Sequence, residues 1–151
     1  MTDISVTIDD KQLIDTLESM GHIASDAINF SRLGLKVKQN ILRRTKDGVD
    51  INKTAFKPYS PSYFIQKSVT HTDTTVNLQN SNRMLASIQV SANDNSSMLF
   101  FADAENSEKA LVHNSGINGM PKREFFGVNS DDEAEVYDIA ISDIRQFLGS
   151  L

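Results

Sequence analysis

Apolar residues recur along this chain with two different periods, and the switches between them mark out its elements. From Thr2 to Ile8, Ile4, Val6 and Ile8 alternate with polar neighbours, which predicts a short strand. Asp9 or Asp10 can then cap a helix in which Leu13, Ile14 and Leu17 share a face, interrupted at Gly21. Ile23, Ala27, Phe30, Gly34, Val37 and Ile41 follow at alternating spacings of four and three, an apolar seam along a long second helix. The seam suits burial against the chain's own core, and its length also leaves room for contact with another chain.

KDGVD at Lys46–Asp50 carries the turn signal that ends this helix. Asn52 to Ser62 reads as an ordered loop holding Pro58 and Pro61, with Pro61 suited to the first turn of a short helix, Ser62–Lys67. Val69–Thr75 is polar and predicts the least regular segment. Ser81–Ser87 reads as a helical turn or two, followed by strand Ile88–Ala92, an NDNS turn at Asn93–Ser96 and strand Met98–Asp103, together a hairpin. Ser107–Asn114 predicts a short helix closed by Gly116, and Phe125–Val128 an extended segment. A last helix starts near Ser130 as its cap, with Val136, Ile139, Ala140, Ile144 and Phe147 as its buried stripe. The expected fold class is α+β: a small antiparallel sheet with a long N-terminal helix and a C-terminal helix packed on it, in one domain over residues 1–151.

Charge is unevenly placed. Asp131, Asp132, Glu133, Glu135, Asp138 and Asp143 follow one another without a base, whereas Arg32, Lys36, Lys38, Arg43, Arg44 and Lys46 cluster on the long helix. These stretches read either as solvated helix faces or as ends that orient a subunit towards complementary partners, with Arg43, Arg44, Asp131, Asp132 and Glu135 as the candidate charged interface. A pI near 5.1 argues against general nucleic-acid binding, although a basic stripe can still line a DNA passage.

Candidate chemistry is sparse. The absence of cysteine excludes disulfides, thiolate metal sites and a Cys nucleophile. His22, His71 and His113 are far apart, and none has a ligand partner at helical spacing; His71 with Asp73 is the nearest approach to a metal pair, and a loop histidine is the plainer reading. Ser115-Gly116 lacks the flanks of a nucleophile elbow, and no Gly-rich phosphate loop is present. No catalytic residue, metal or cofactor is therefore expected. MTDISVTIDDKQ has neither the basic nor the apolar region of a signal peptide, and no apolar run is long enough to cross a bilayer, so synthesis and assembly in cytoplasm are expected, with no membrane partner.

Two Pro-stiffened stretches hold aromatics in place. Phe56-Lys57-Pro58-Tyr59-Ser60-Pro61-Ser62-Tyr63 is one, and Met120-Pro121-Lys122-Arg123-Glu124-Phe125-Phe126-Gly127 the other. If the second is extended, one of Phe125 and Phe126 should point inward and the other outward. Pre-ordered aromatics beside Arg and Lys suit a protein interface, because little entropy remains to be lost on docking; equally, both stretches can fold back over the core.

In order, RTKDGVDINKTAFKPYSPSYFIQK, VNLQNSNRMLASIQV, KALVHNSG and MPKREFFGVNSDD resemble the phage virion morphogenesis family, the tail-completion or neck proteins of Mu-like and related tailed phages. The resemblance spans Arg44 to Asp132. Asp50, Phe56, Pro58, Tyr59, Ser60, Pro61 and Lys67 match D-x-x-G-x-x-W/F-x-P-L/Y-S-P…K, and Leu78, Arg83, Met84, Leu85, Ser87 and Ile88 match L-x-x-T-G-R-M/L-x-x-S-I. Ala110, His113 and Gly116 match A-x-x-H-x-x-G, and Pro121, Arg123, Phe125, Phe126, Gly127 and Val128 match P-x-R-x-F-L/F-G-L/V. The chain departs from the family where Asn82 replaces the usual Gly and where Lys53-Thr54 replaces a Gly turn.

The resemblance implies a structural role without catalysis: copies joining as a ring at the head-proximal end of the tail, touching tail terminator or tail tube and head–tail connector proteins, with DNA passing through but not read. Together with the stiffened aromatic stretches it gives Phe56, Pro58, Tyr59, Tyr63, Lys67, Arg83, Met84, His113, Gly116, Pro121, Arg123, Phe125, Phe126 and Gly127 as candidate assembly-interface or motif residues, with His113 a local hydrogen-bonder fixing the Gly116 turn. A tail terminator or head-side adaptor is the neighbouring alternative, and a small metal-dependent hydrolase the remote one.

Overall fold

The computed structural model describes residues 3–8, 15 and 26–151. The helix expected around Leu13, Ile14 and Leu17, and the seam position Ile23, lie outside the described residues.

The sheet is antiparallel with three strands, β1 (Ser5–Ile8), β2 (Ile88–Ala92) and β3 (Ser97–Phe101), in the order β1-β3-β2. β2 and β3 form the expected hairpin. Asn93 makes its turn because its Oδ1 accepts the N–H groups of Asn95 and Ser96 at 3.0 and 2.8 Å. Register places Val6 and Val90 on either side of Leu99, and Ile88 opposite Phe101. Ser97, Leu99 and Phe101 therefore line one face and are buried, while Met98 between them is exposed.

The long helix, α1 (Phe30–Lys46), covers that face. Phe30, Gly34, Val37 and Ile41 are buried as the seam predicts, with Leu33 beside them. The helix starts later than expected. Asn29 breaks from helical geometry, and its side chain accepts the N–H of Arg32, so Asn29 caps the helix. Gly34 permits the close packing: a Cβ built there would stand 2.1 Å from Ser97 Oγ and 2.5 Å from Val90 Cγ1.

Four further helices complete the described chain: α2 (Pro61–Thr70), α3 (Arg83–Ala86), α4 (Ala104–Ser115) and α5 (Ser130–Gly149). Pro61 opens α2 behind a Ser60 cap, and Asp103 caps α4 by accepting from Asn106 N. Gly116 closes α4 in the left-handed conformation at φ 68°. In α5 the cap is Asn129 rather than Ser130, because Asn129 and Asp132 form a reciprocal capping box. Val136, Ala140 and Ile144 are buried, with Ile139 and Phe147 half-buried.

α5 lies mainly against α1, not on the sheet as expected. This placement removes Arg44 and Asp132 from the candidate charged interface. The basic and acidic helices face each other within one chain. Arg44 pairs with Asp132 at 2.6 Å and Lys36 with Glu135 at 3.2 Å, while Asp131 pairs with Lys53. Arg44 and Asp132 are both buried, so neither can meet another subunit, whereas Arg43 beside them is exposed.

Phe125 and Phe126 are both buried, at 0% and 3% exposure, against the expectation of one inward and one outward. Inward–outward alternation needs a strand with one wet face. This segment is instead no strand: Phe125 N turns back to donate to Arg123 O at 2.9 Å and the chain bends at Phe126-Gly127, while Phe126 N and O bond to the amide of Asn114 on α4 and Ile51 N donates to Glu124 O. Both rings join Phe101, at centroid distances of 6.5 and 4.8 Å. Phe56 is likewise a core residue, so none of these three rings is offered to a partner.

Candidate functional site

The four motif blocks, far apart in sequence, meet around one cleft of about 660 Å³. Pro58, Tyr59 and Ser60 come from the first block, Leu78, Arg83 and Met84 from the second, His113 from the third, and Pro121 and Arg123 from the fourth. Tyr63, Lys109 and Met120 contribute further wall. Phe56, Lys67, Gly116, Phe125, Phe126 and Gly127 do not line it; they hold the elements that do.

The walls are fixed by contacts between blocks. Arg123 Nε donates to Lys57 O and its Nη2 to Pro58 O, both at 2.9 Å, which clamps the first Pro-rich loop to the second. Arg123 N donates to His113 O at 2.8 Å, tying this segment to α4. The Tyr59 hydroxyl accepts Leu78 N at 3.2 Å and so joins the first block to the second. Lys67 sits behind Tyr59, where Nζ donates to Thr75 O at 3.0 Å and Asn77 Oδ1 at 2.9 Å and lies 4.9 Å from the Tyr59 ring centroid. The Arg123 guanidinium stands 5.2 Å from the same centroid. One aromatic ring thus contacts two buried cations. Tyr63 packs edge-on against it at 4.8 Å.

Burial sets the electrostatics of this wall. It pushes Lys67 below the ordinary lysine range, with the Asp73 charge acting against it, and it lowers Arg123 in the same sense. It raises the phenols of Tyr59 and Tyr63. His113 falls below its ordinary 6.5, first through burial and then through the Arg123 charge, so its ring is neutral at pH 7. His113 Nδ1 is buried without a hydrogen-bond partner, and the ring does not fix the Gly116 turn. That turn is made by the backbone, Gly116 N donating to Val112 O at 3.0 Å, and by tight packing on Lys122.

Both departures from the family pattern fall on positive φ. Asn82 has φ 59° and Lys53 φ 62°, so each keeps the left-handed conformation that Gly adopts freely. His71 is not paired with Asp73. Its ring nitrogens lie 2.7 Å from Thr70 Oγ1 and 3.0 Å from Asn80 O, while Asp73 accepts from Thr75 N and Asn77 Nδ2. Among the described residues no group of three or more His, Asp or Glu is placed to hold a metal ion. No described helix is long and apolar enough to cross a membrane.

The sequence reading missed Asn106 and Lys109, which share a face of α4 with His113, seven and four residues before it. That spacing was a usable signal once α4 was recognised and His113 singled out.

No curated protein and no solved structure matches the chain. The model of the phage virion morphogenesis family matches it over residues 8–145 of 151, a span that includes every residue lining the cleft. The chain belongs to the phage virion morphogenesis family and is a protein of phage virion assembly.

Proposed function

We propose that this protein is a tail-completion component of the neck, at the head-proximal end of the tail, where it works by binding and catalyses nothing. Its partners are further copies of itself, arranged as a ring, and the tail-side and connector proteins that the ring bridges. DNA passes through the ring without being read. The family match over residues 8–145 carries this reading.

The cleft supports it physically. A binding component needs a preformed concave surface, and here four sequence-distant blocks hold Tyr59, Tyr63, Met84 and Met120 around a hollow with little left to order on docking.

Electron microscopy of particles made without the protein tests the proposal. Tails of normal length that fail to join filled heads are expected. Tails of abnormal length would make the protein a terminator, and heads that lose their DNA before any tail arrives would make it a head-side adaptor; either result overturns the tail-completion role.

A further inference from the structure

We infer that the cleft of one copy seats the outer face of α5 from the next copy, with the neighbour's Tyr137 entering the hollow and its Glu133 and Asp138 meeting the cleft's cations. The inference rests on the reading that copies of this chain join one another.

Charge makes the first argument. The chain carries 20 acidic residues against 15 basic, yet the cleft is lined by Arg83, Lys109 and Arg123 and by no carboxylate. Arg123 is buried and donates to backbone carbonyls, with no ion-pair partner among the described residues. Lys67, buried behind Tyr59, has only uncharged hydrogen-bond partners. Lys109 reaches Glu105 on its own helix, an exposed pair of the kind that contributes little. The hollow therefore presents an excess of positive charge on an aromatic and thioether floor, which suits an occupant carrying acid beside an apolar ring.

α5 offers that combination. Its inner face is occupied by Val136, Ala140 and Ile144 against its own chain. Glu133, at the helix start, and Tyr137 border that stripe and Asp138 lies across the helix from it, all three exposed, with Tyr137 at 49%. Residues four apart on a helix stack on one side, so Glu133 and Tyr137 present acid and ring together. No α5 residue lines the cleft of its own chain, so Tyr137 can enter such a cleft only in another copy. The hollow lies within the roughly 300–1,000 Å³ that small binding pockets occupy, which leaves room for a tyrosine side chain.

The two patches differ, so the contact is head-to-tail. Repeating it produces a closed ring when the rotation between copies divides a full turn, and a filament otherwise. A duplex of DNA suits the site less well, because phosphate binding needs an extended basic track rather than a short hollow floored by Tyr and Met.

The absence of cysteine in the chain makes a direct test clean. Tyr137→Cys and Met120→Cys are introduced together in the full-length protein, and assembled particles are oxidised and run without reductant. A ladder of cross-linked copies is expected from the double variant and none from either single variant. In parallel, light scattering of the purified chain over a concentration series compares the wild type with Glu133→Lys/Asp138→Lys, with Arg83→Glu/Lys109→Glu, and with all four changes combined. Each one-sided reversal should weaken self-association roughly tenfold or more, and the four-fold swap should restore it. Particles that contain the protein but give no ladder would overturn the contact while leaving the neck role standing. Protein absent from the particles would overturn the neck role instead. A mixed-sequence DNA duplex that binds the wild type but not Arg83→Glu/Lys109→Glu, with no ladder, would reassign the cleft to DNA.

Discussion

Nη1 of Arg44 donates to both carboxylate oxygens of Asp132, at 2.8 and 2.6 Å, and joins the long basic helix to the first turn of the acidic one. The pair is not isolated. Arg44 Nη2 donates to Gly127 O at 2.9 Å, and Asp132 accepts Asn40 Nδ2 and Asn129 N at 2.9 and 3.0 Å. The carboxylate that caps α5 is thus also the one that receives the cation of α1. Removing either partner leaves a buried charge without its counter-charge. Arg44→Met or Asp132→Asn should therefore lower stability by about 3–5 kcal/mol, and the double change Arg44→Met/Asp132→Asn should cost clearly less than the sum of the two. Exposed Arg43→Glu should stay within about 0.5 kcal/mol. Urea midpoints followed by circular dichroism check all four; an Arg44 variant as stable as the wild type would remove this ion pair from the fold's supports.

Gly34 sets how closely α1 approaches the hairpin. An alanine methyl there would meet Ser97 Oγ and Val90 Cγ1 well inside van der Waals contact, so Gly34→Ala should destabilise by about 1–3 kcal/mol although alanine is the better helix former. Ser97 Oγ is itself buried without a partner, so Ser97→Ala should be neutral or slightly stabilising. Thermal melts of both variants would show opposite signs. A stabilised Gly34→Ala would mean that the helix can lift from the sheet at no cost.

The left-handed positions make a matched comparison. Asn82→Gly should change stability by only a few tenths of a kcal/mol, because asparagine already tolerates the conformation, whereas Asn82→Val should cost about 1–2 kcal/mol. Gly116→Ala combines positive φ with a methyl 2.7 Å from Lys122 N and should cost more than about 1 kcal/mol. Equal denaturation midpoints for Gly116→Ala and the wild type would contradict the turn geometry.

His113 predicts a pH dependence. Its folded pKa lies below the unfolded value near 6.5, so the unfolded chain takes up the proton first as pH falls. The stabilisation is fully present above pH 6.5 and is lost as pH drops from there through the folded pKa. The lowered carboxylates act in the same direction but at more acidic pH: Asp73 and Asp103 through hydrogen bonds from Thr75 and Asn106, Asp131 through Lys53, and Glu135 through Asn40 and Lys36. Between pH 7.5 and 5.5 the wild type should therefore lose more stability than His113→Gln. Parallel slopes for the two proteins in urea titrations at these pH values would exclude His113 as the source.

Local rules made much of the fold legible. The strand of alternating Ile and Val near the start, the hairpin around NDNS, Pro61 opening α2 and Gly116 closing α4 all depend on neighbours within a few residues, where propensity and turn chemistry act directly. The four blocks that carried the family resemblance are legible for the same reason, as short ordered strings. The sequence by itself thus determined the α+β class and the family.

What those residues do was decided only by tertiary packing. Arg43 and Arg44 are adjacent and chemically alike, and only the position of α5 makes one solvated and the other buried. Phe125 and Phe126 look like alternating positions of a strand, but the turn from Phe125 N to Arg123 O and the bend at Phe126-Gly127, held by Asn114 and Ile51, send both rings into the core. Charge and aromaticity are properties of a residue, but exposure belongs to whatever the folded chain brings next to it, and those neighbours here lie from 12 to 88 positions away.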